Sequence, residues 1–126
     1  MLLISCMPSS PNVCIKSVRL CVLAAAAAGY EPQRVLADYG LLPEQLTDPY
    51  LRVPHTLLAR MWDEVPRRLP VTDDAFGLHA AELLHHQAHD VMDPALFQAS
   101  TVRGALELLS RYGRLHHDGA VIELVP

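Results

Sequence analysis

Histidine and carboxylate side chains are concentrated in one stretch of this chain of 126 residues. Glu82 and His86 are four residues apart, as are His85 and His89, so each pair would share one face of a helix. Imidazole and carboxylate groups at that spacing can bind zinc or nickel together. The zinc-protease pattern H-E-x-x-H is absent, and solvated histidines on a polar helix face are the competing interpretation. A small metal-binding protein that uses the segment from His85 to Asp90 is therefore an alternative function, while no metal site or cofactor is assigned.

Other residue types that support catalysis do not form a recognisable constellation. Ser100 has no obvious base or orienting acid near it in sequence. Cys14 and Cys21 lie in an apolar helical segment, where the thiolate that would act as a nucleophile is disfavoured. No glycine-rich phosphate loop is present, and the aspartates lack the spacing of a calcium loop. We predict that the chain is not an enzyme.

The amino-acid composition indicates a folded protein and argues against nucleic-acid binding and membrane insertion. Hydrophobic residues make up 51% of the chain, which is enough for a folded core, and the formal net charge is −4. Direct binding to nucleic acid is not expected, because phosphate contacts need a basic surface and the arginines are scattered. The alanine-rich stretch near Ala24 is shorter than the ~20 apolar residues of a membrane span. Three cysteines without a C-x-x-C pair indicate reduced thiols and a cytoplasmic protein.

Most of the predicted secondary structure, including the segments that contain most of the histidines and cysteines, is helical. The clearest is an amphipathic helix over Thr101–Leu115, where Ser100 or Thr101 can cap the amino end and apolar residues recur every three or four positions. Earlier helices are predicted over residues 13–28, from Pro32 to Gly40, from Pro54 to Pro66 and over 75–86, with single turns at 41–46 and 94–99.

Glycine and proline set the boundaries of these elements. Gly29 and Gly40 are natural left-handed caps for the first two helices. Gly77 weakens the fourth helix, which suggests close packing against a neighbour. Residues 1–12 are expected to be a flexible arm, because Pro8 and Pro11 oppose regular structure. The predicted fold is therefore mainly α, a bundle of four to five helices.

The carboxyl end is predicted to change to extended structure. Asp118 and Gly119 form a turn signal, and residues 120–125 are typical of one β-strand. No partner strand is evident in the sequence. An unpaired strand edge tends to recruit another chain, so we expect self-association through residues 120–125.

Several segments, read in order, resemble one family. They are Arg52-Val-Pro54 before Leu57-Leu-Ala-Arg-Met-Trp62, then Asp74-Ala-Phe-Gly-Leu-His-Ala-Ala-Glu82, Leu96-Phe-Gln-Ala-Ser100, Val102-Arg-Gly-Ala-Leu-Glu-Leu-Leu-Ser-Arg-Tyr112 and His117-Asp-Gly119. This order is similar to the amino-terminal, arabinose-binding type of effector domain in AraC-type transcriptional regulators. The resemblance covers roughly residues 17 to 124.

The resemblance implies a regulatory domain that senses a small molecule, contributes to dimerisation, or both. Such regulators bind DNA through a separate helix-turn-helix domain, which we expect to be absent from this chain. Residues 13–126 would then be a truncated regulatory domain, the amino-terminal part of an α+β sensor. A helical protein–protein interaction module is the alternative from another class.

An effector pocket, under this interpretation, would have apolar walls with a few polar tips. Met61, Trp62, Phe76 and Tyr112 are the tentative ligand-binding residues, because they are the larger apolar and aromatic side chains of the predicted core helices. Ordinary core packing is the competing role for each of them.

Overall fold

A computed structural model describes residues 2–6, 11–83, 92–115 and 117–126. Its architecture is mainly helical, with a small amount of sheet, and it ends in a strand, which confirms the predicted fold class. The helices are α1 (Ile15–Ala27), α2 (Pro32–Asp38), α3 (His55–Glu64), α4 (Phe76–Glu82), α5 (Met92–Gln98) and α6 (Val102–Tyr112). The strands are β1 (Leu2–Cys6), β2 (Asn12–Cys14), β3 (Arg52–Pro54) and β4 (Ala120–Leu124).

Helix α1 is the centre of the main core. Its apolar residues repeat at helical spacing, so one broad face contacts α2, α3 and α4. That face buries Ile15, Val18, Cys21, Val22, Ala24 and Ala25. The neighbouring helices contribute Val35, Met61, Val65 and Phe76, which complete the cluster. The three cysteines of the sequence include two that the structure describes as free and buried, Cys14 and Cys21.

The predicted ends of the early helices are confirmed by backbone geometry. Gly29 and Gly40 have φ angles of 87° and 66°, in the left-handed region that glycine adopts without strain. Pro32 occupies the first turn of α2, as expected for a residue without a backbone donor. Short 3₁₀ turns follow at Pro43–Thr47 and Val65–Arg68, where α3 is extended past Glu64 by one tight turn.

The amino-terminal segment is more regular than the sequence suggested. Residues 2–6 form β1, which pairs antiparallel with β4 from Leu2 opposite Leu124 to Cys6 opposite Ala120. The prediction that the carboxyl-terminal strand lacks a partner in this chain is therefore wrong, and so is a wholly irregular arm over residues 1–12. The partner was missed because more than a hundred residues separate the two strands in sequence.

Helix α6 packs with the elements near the carboxyl end of the chain. Its amino end is capped by Thr101, whose Oγ1 accepts a hydrogen bond from Gly104 N at 3.0 Å, as predicted. The helix packs against α5 and β4 and continues into a 3₁₀ turn at Gly113–Leu115. Ser110 Oγ donates to the carbonyl of Ile122 at 2.7 Å, which fixes the helix on the strand. No described helix is long and apolar enough to cross a membrane.

Candidate functional site

A shallow apolar depression lies between the carboxyl end of α1 and helix α4. Its volume is about 180 Å³. The opening exists because α1 presents a run of alanines at this point, and methyl side chains leave space between two packed helices. The lining residues are Ala24, Ala27, Ala28, Phe76, Ala80, Leu83, Asp73 and His79. A concave apolar lining with a few polar groups is typical of small-molecule sites, and this volume is below the ~300–1,000 Å³ of most such sites, so the depression suits only a small ligand.

The polar edge of this depression is formed by Asp73 and His79. His79 Nδ1 lies 2.7 Å from Asp73 Oδ2, and Asp73 Oδ1 accepts a hydrogen bond from Ala75 N at 2.9 Å. The hydrogen bond and the charge of Asp73 raise the pKa of His79, with a smaller contribution from Glu82. The hydrogen bond from His79 likewise lowers the pKa of Asp73. The pair therefore favours its charged form, an imidazolium beside a carboxylate.

The four predicted ligand-binding residues occupy different environments. Met61 is completely buried, and Phe76 is 4% exposed. Trp62 is half-buried against the same core, with its ring centroid 5.5 Å from that of Phe76. Tyr112 lies on α6 and is 44% exposed, outside this core cluster. Three of the four are thus gathered in one region, and Phe76 alone among the four lines the depression.

Sequence reasoning did not select Asp73 and His79 as a pair. Asp73 lies before the helix predicted over residues 75–86 and His79 lies within it, so no helical spacing groups the two. The two side chains meet because Asp73 precedes α4 and folds back over its first turns. The alanine run from Ala24 to Ala28 was a usable signal, since five consecutive methyl side chains leave room wherever a helix packs on them.

A second polar cluster joins α2 to the end of α3. Tyr30 donates a hydrogen bond to Asp38, and Arg68 donates to Asp38 Oδ2 at 3.2 Å and to Glu64 Oε2 at 3.3 Å. Tyr39 donates to Glu64 Oε2 at 3.0 Å. Burial, followed by this bond to Glu64, raises the pKa of Tyr39 to about 12. These groups satisfy one another, so we interpret the cluster as structural.

A third set of contacts connects the main core to the α6–β4 region. Arg52 forms an ion pair with Asp118 and donates from Nη1 to the carbonyl of Leu115 at 2.9 Å. Asp118 N also donates to the carbonyl of Asn12 at 3.0 Å. These bonds hold the first residues of β2 and β3 against the turn that precedes β4. They form a polar link between the two regions.

Metal ligation has no support in the part of the chain that the structure describes. No three His, Cys, Asp or Glu residues there are grouped to hold a metal ion. The segment from His85 to Asp90, on which the metal alternative depends, lies outside the described residues.

Comparison with known families gives one match. The family described as the arabinose-binding domain of AraC transcription regulator, N-term, matches residues 29–126. This chain belongs to that family. The match confirms the resemblance drawn from the sequence, and it includes α2 to α6, β3 and β4. The comparisons with curated proteins and with solved structures returned no match.

Proposed function

We propose that this chain is a regulatory domain that senses a small-molecule effector for an AraC-type transcription regulator. Membership of the family over residues 29–126 carries the proposal. The mainly helical fold and the concave site between α1 and α4 support it. The chain works in the cytoplasm, where such regulators meet DNA, and it has no enzymatic role. Any DNA contact of the regulator is made outside this chain.

Effector binding involves the region around Phe76. Phe76 borders the depression, the Trp62 ring contacts the Phe76 ring at a tilt, and Met61 belongs to the same buried core. Tyr112, the fourth tentative ligand residue, lies instead on α6. The family name refers to arabinose, which makes a pentose one of the effectors to test.

The test is thermal unfolding of the full chain in the presence of a panel of sugars, organic acids, amines and aromatic compounds. A ligand that binds the folded state at 100 times its Kd stabilises it by about 2.7 kcal/mol, enough to raise Tm by several degrees. We expect at least one class of compound to do so. A cooperatively folded chain that no organic compound stabilises would contradict the proposal. Stabilisation by zinc alone would favour the metal alternative.

Self-association is the second proposed role, and helix α6 supports it. The helix is amphipathic, yet none of its residues is buried. Phe97 and Val102 are 74% and 79% exposed, and Tyr112 and Leu115 are also exposed. We define the α6 surface as these four side chains. Exposed apolar side chains on α6 and the elements beside it favour pairing with a second copy of the chain.

Sedimentation of Val102→Glu measures this role. A glutamate in the first turn of a helix is compatible with the helix dipole, so α6 should remain folded. We expect the variant to shift the population from dimer to monomer. The matched control is Val71→Glu, because Val71 is 77% exposed but lies between α3 and α4. An unchanged dimer fraction in Val102→Glu, or an equal loss in both variants, would exclude the α6 surface as the interface.

A further inference from the structure

The chemistry of the depression between α1 and α4 restricts the kind of effector it can accept. Resting on the proposed sensing function, we infer that the site takes a small apolar monocarboxylic acid, with its apolar part against Ala27 and Phe76 and its carboxylate on His79. The inference depends on the size of the depression, the composition of its walls and the free donor of one imidazole.

The walls select an apolar group of limited size. Ala24, Phe76 and Ala80 are 4%, 4% and 1% exposed and form the floor. Ala27 is exposed at the rim, where it faces the opening. An apolar cavity of ~150 Å³ admits a benzene-sized molecule, so a depression of about 180 Å³ suits one ring or a short branched chain.

His79 supplies the polar end of the site. Its Nδ1 is engaged by Asp73, and within the described part of the chain nothing accepts a hydrogen bond from its Nε2. Asp73 raises the pKa of this imidazole and so favours the imidazolium, in which Nε2 also carries a proton and can donate a charge-assisted bond. Among the described residues, the ionisable groups that act on the imidazole are Asp73 and Glu82, and the α1 side of the lining consists of alanines. Because Asp73 can only accept hydrogen bonds in its ionised form, the donor available to a carboxylate among the polar lining side chains is Nε2–H of the protonated imidazole.

A sugar is a poor fit to the same surface. Each hydroxyl of a pentose requires a hydrogen-bond partner when it leaves water. The alanine, phenylalanine and leucine side chains of the lining offer none, and Asp73 and His79 are the polar side chains among the lining residues. A ligand with one polar end and one apolar end therefore matches this lining better than a pentose, which has polar oxygens along its whole length.

Calorimetric titration of the full chain with benzoate tests the inference, with benzyl alcohol and L-arabinose as comparison ligands. We expect benzoate to bind more tightly than benzyl alcohol at about pH 6, and this preference to decline as the pH rises and His79 loses its proton. Ala27→Leu fills the rim and should weaken benzoate binding by about tenfold or more, equivalent to 1.4 kcal/mol. Ala59→Leu, at an exposed position of α3, is the matched control and should change the affinity by less than about twofold.

A second variant tests the carboxylate contact separately. His79→Gln should abolish the preference for benzoate over benzyl alcohol while the neutral ligand still binds. Equal benzoate affinity in wild type and Ala27→Leu would overturn the site. If arabinose binds and benzoate does not, the inferred ligand class is wrong. If a stabilising compound binds wild type and Ala27→Leu equally, the inferred site is wrong. In both cases the proposed sensing function still holds. If no organic compound binds at all, the proposed function fails as well.

Discussion

Met61 and Trp62 are neighbours on α3 but differ in burial. Met61 is completely buried, whereas Trp62 is half-buried and contacts Phe76 across the edge of the core. Both lie on the helix predicted from Pro54 to Pro66, and both were predicted as effector-binding residues. Periodicity identifies the face that points inward, but it does not tell how far each side chain is covered by the next helix.

Truncating Met61 should destabilise the chain strongly. Met61→Ala removes a fully buried side chain, so we expect a loss of about 2–5 kcal/mol in the free energy of unfolding. Leu78→Ala is the control, because Leu78 is 72% exposed on α4 and its loss should change that energy by under about 0.5 kcal/mol. Urea denaturation of both variants gives the comparison. Similar midpoints for the two variants would place Met61 outside the core.

The pair of Asp73 and His79 should give stability that depends on pH. Asp73 has a pKa lowered from 3.8, so its contribution is present above that value and is lost as the pH falls through the lowered pKa. His79 has a pKa raised from 6.5, so its contribution is present below 6.5 and is lost as the pH rises through the raised pKa. The pair is therefore fully stabilising between pH 3.8 and 6.5.

Asp73→Asn measures this effect. We expect its denaturation midpoint to fall below that of wild type at about pH 5.5 and to approach it at a pH above the raised pKa of His79, where the imidazole is neutral. Asp74→Asn changes the adjacent exposed carboxylate and serves as the control. A difference from wild type that is the same at both pH values would show that the ion pair does not contribute.

Two of the glycines in this chain end helices, as the sequence predicted. Gly29 and Gly40 were predicted as left-handed caps, and both have positive φ. Gly77 was predicted to allow close packing, and this is wrong: a Cβ at Gly77 would have nothing within 4 Å. Cap positions follow from local chain geometry, whereas packing partners depend on tertiary contacts that no local pattern contains.

Two glycine substitutions should therefore have opposite effects. Gly40→Ala places a side chain at φ 66°, and we expect a loss of roughly 1 kcal/mol although a Cβ there would also meet open space. Gly77→Ala lies within α4 at ordinary helical geometry and should stabilise the chain by about 0.5–1 kcal/mol. Thermal unfolding of the two variants checks the sign of each change. Stabilisation by Gly40→Ala would contradict the cap assignment.

Helices were easier to predict than strands in this chain. Each helix carries its own apolar period and its own caps, so α1, α2, α3 and α6 were located within a few residues. Strands β2 and β3 are three residues each, too short for any alternation to be recognised. The pairing of β1 with β4 joins the two ends of the chain, and a short apolar segment does not encode which distant segment it will meet.

In the candidate site, likewise, residues of a single helix could be predicted but contacts between helices could not. Phe76 could be named from the apolar pattern of α4, and the alanine run of α1 was visible as a buried helix. That these two surfaces face each other across a depression depends on how α1 and α4 pack, which sequence periodicity does not define. Tyr112 was grouped with Phe76 for the same reason, because side chains on different helices cannot be assigned to a common pocket without the packing.

The charge of the whole molecule predicts how it behaves toward DNA. A net charge of −4 opposes binding to phosphates, and no basic stripe was evident in the sequence. We expect no sequence-specific binding of the isolated chain to duplex DNA near physiological salt. Fluorescence anisotropy with labelled duplexes measures this directly. Binding that depends on DNA sequence and weakens with salt would contradict the prediction.

Binding of a small molecule near α4 should change the folded ensemble of this chain. Hydrogen–deuterium exchange of the full chain, with and without a compound that raises its Tm, measures this change. We expect slower exchange at the carboxyl end of α1 and in α4, with benzoate protecting the same segments if it is such a compound. Slower exchange confined to other segments, or unchanged exchange throughout despite saturating ligand, would contradict it.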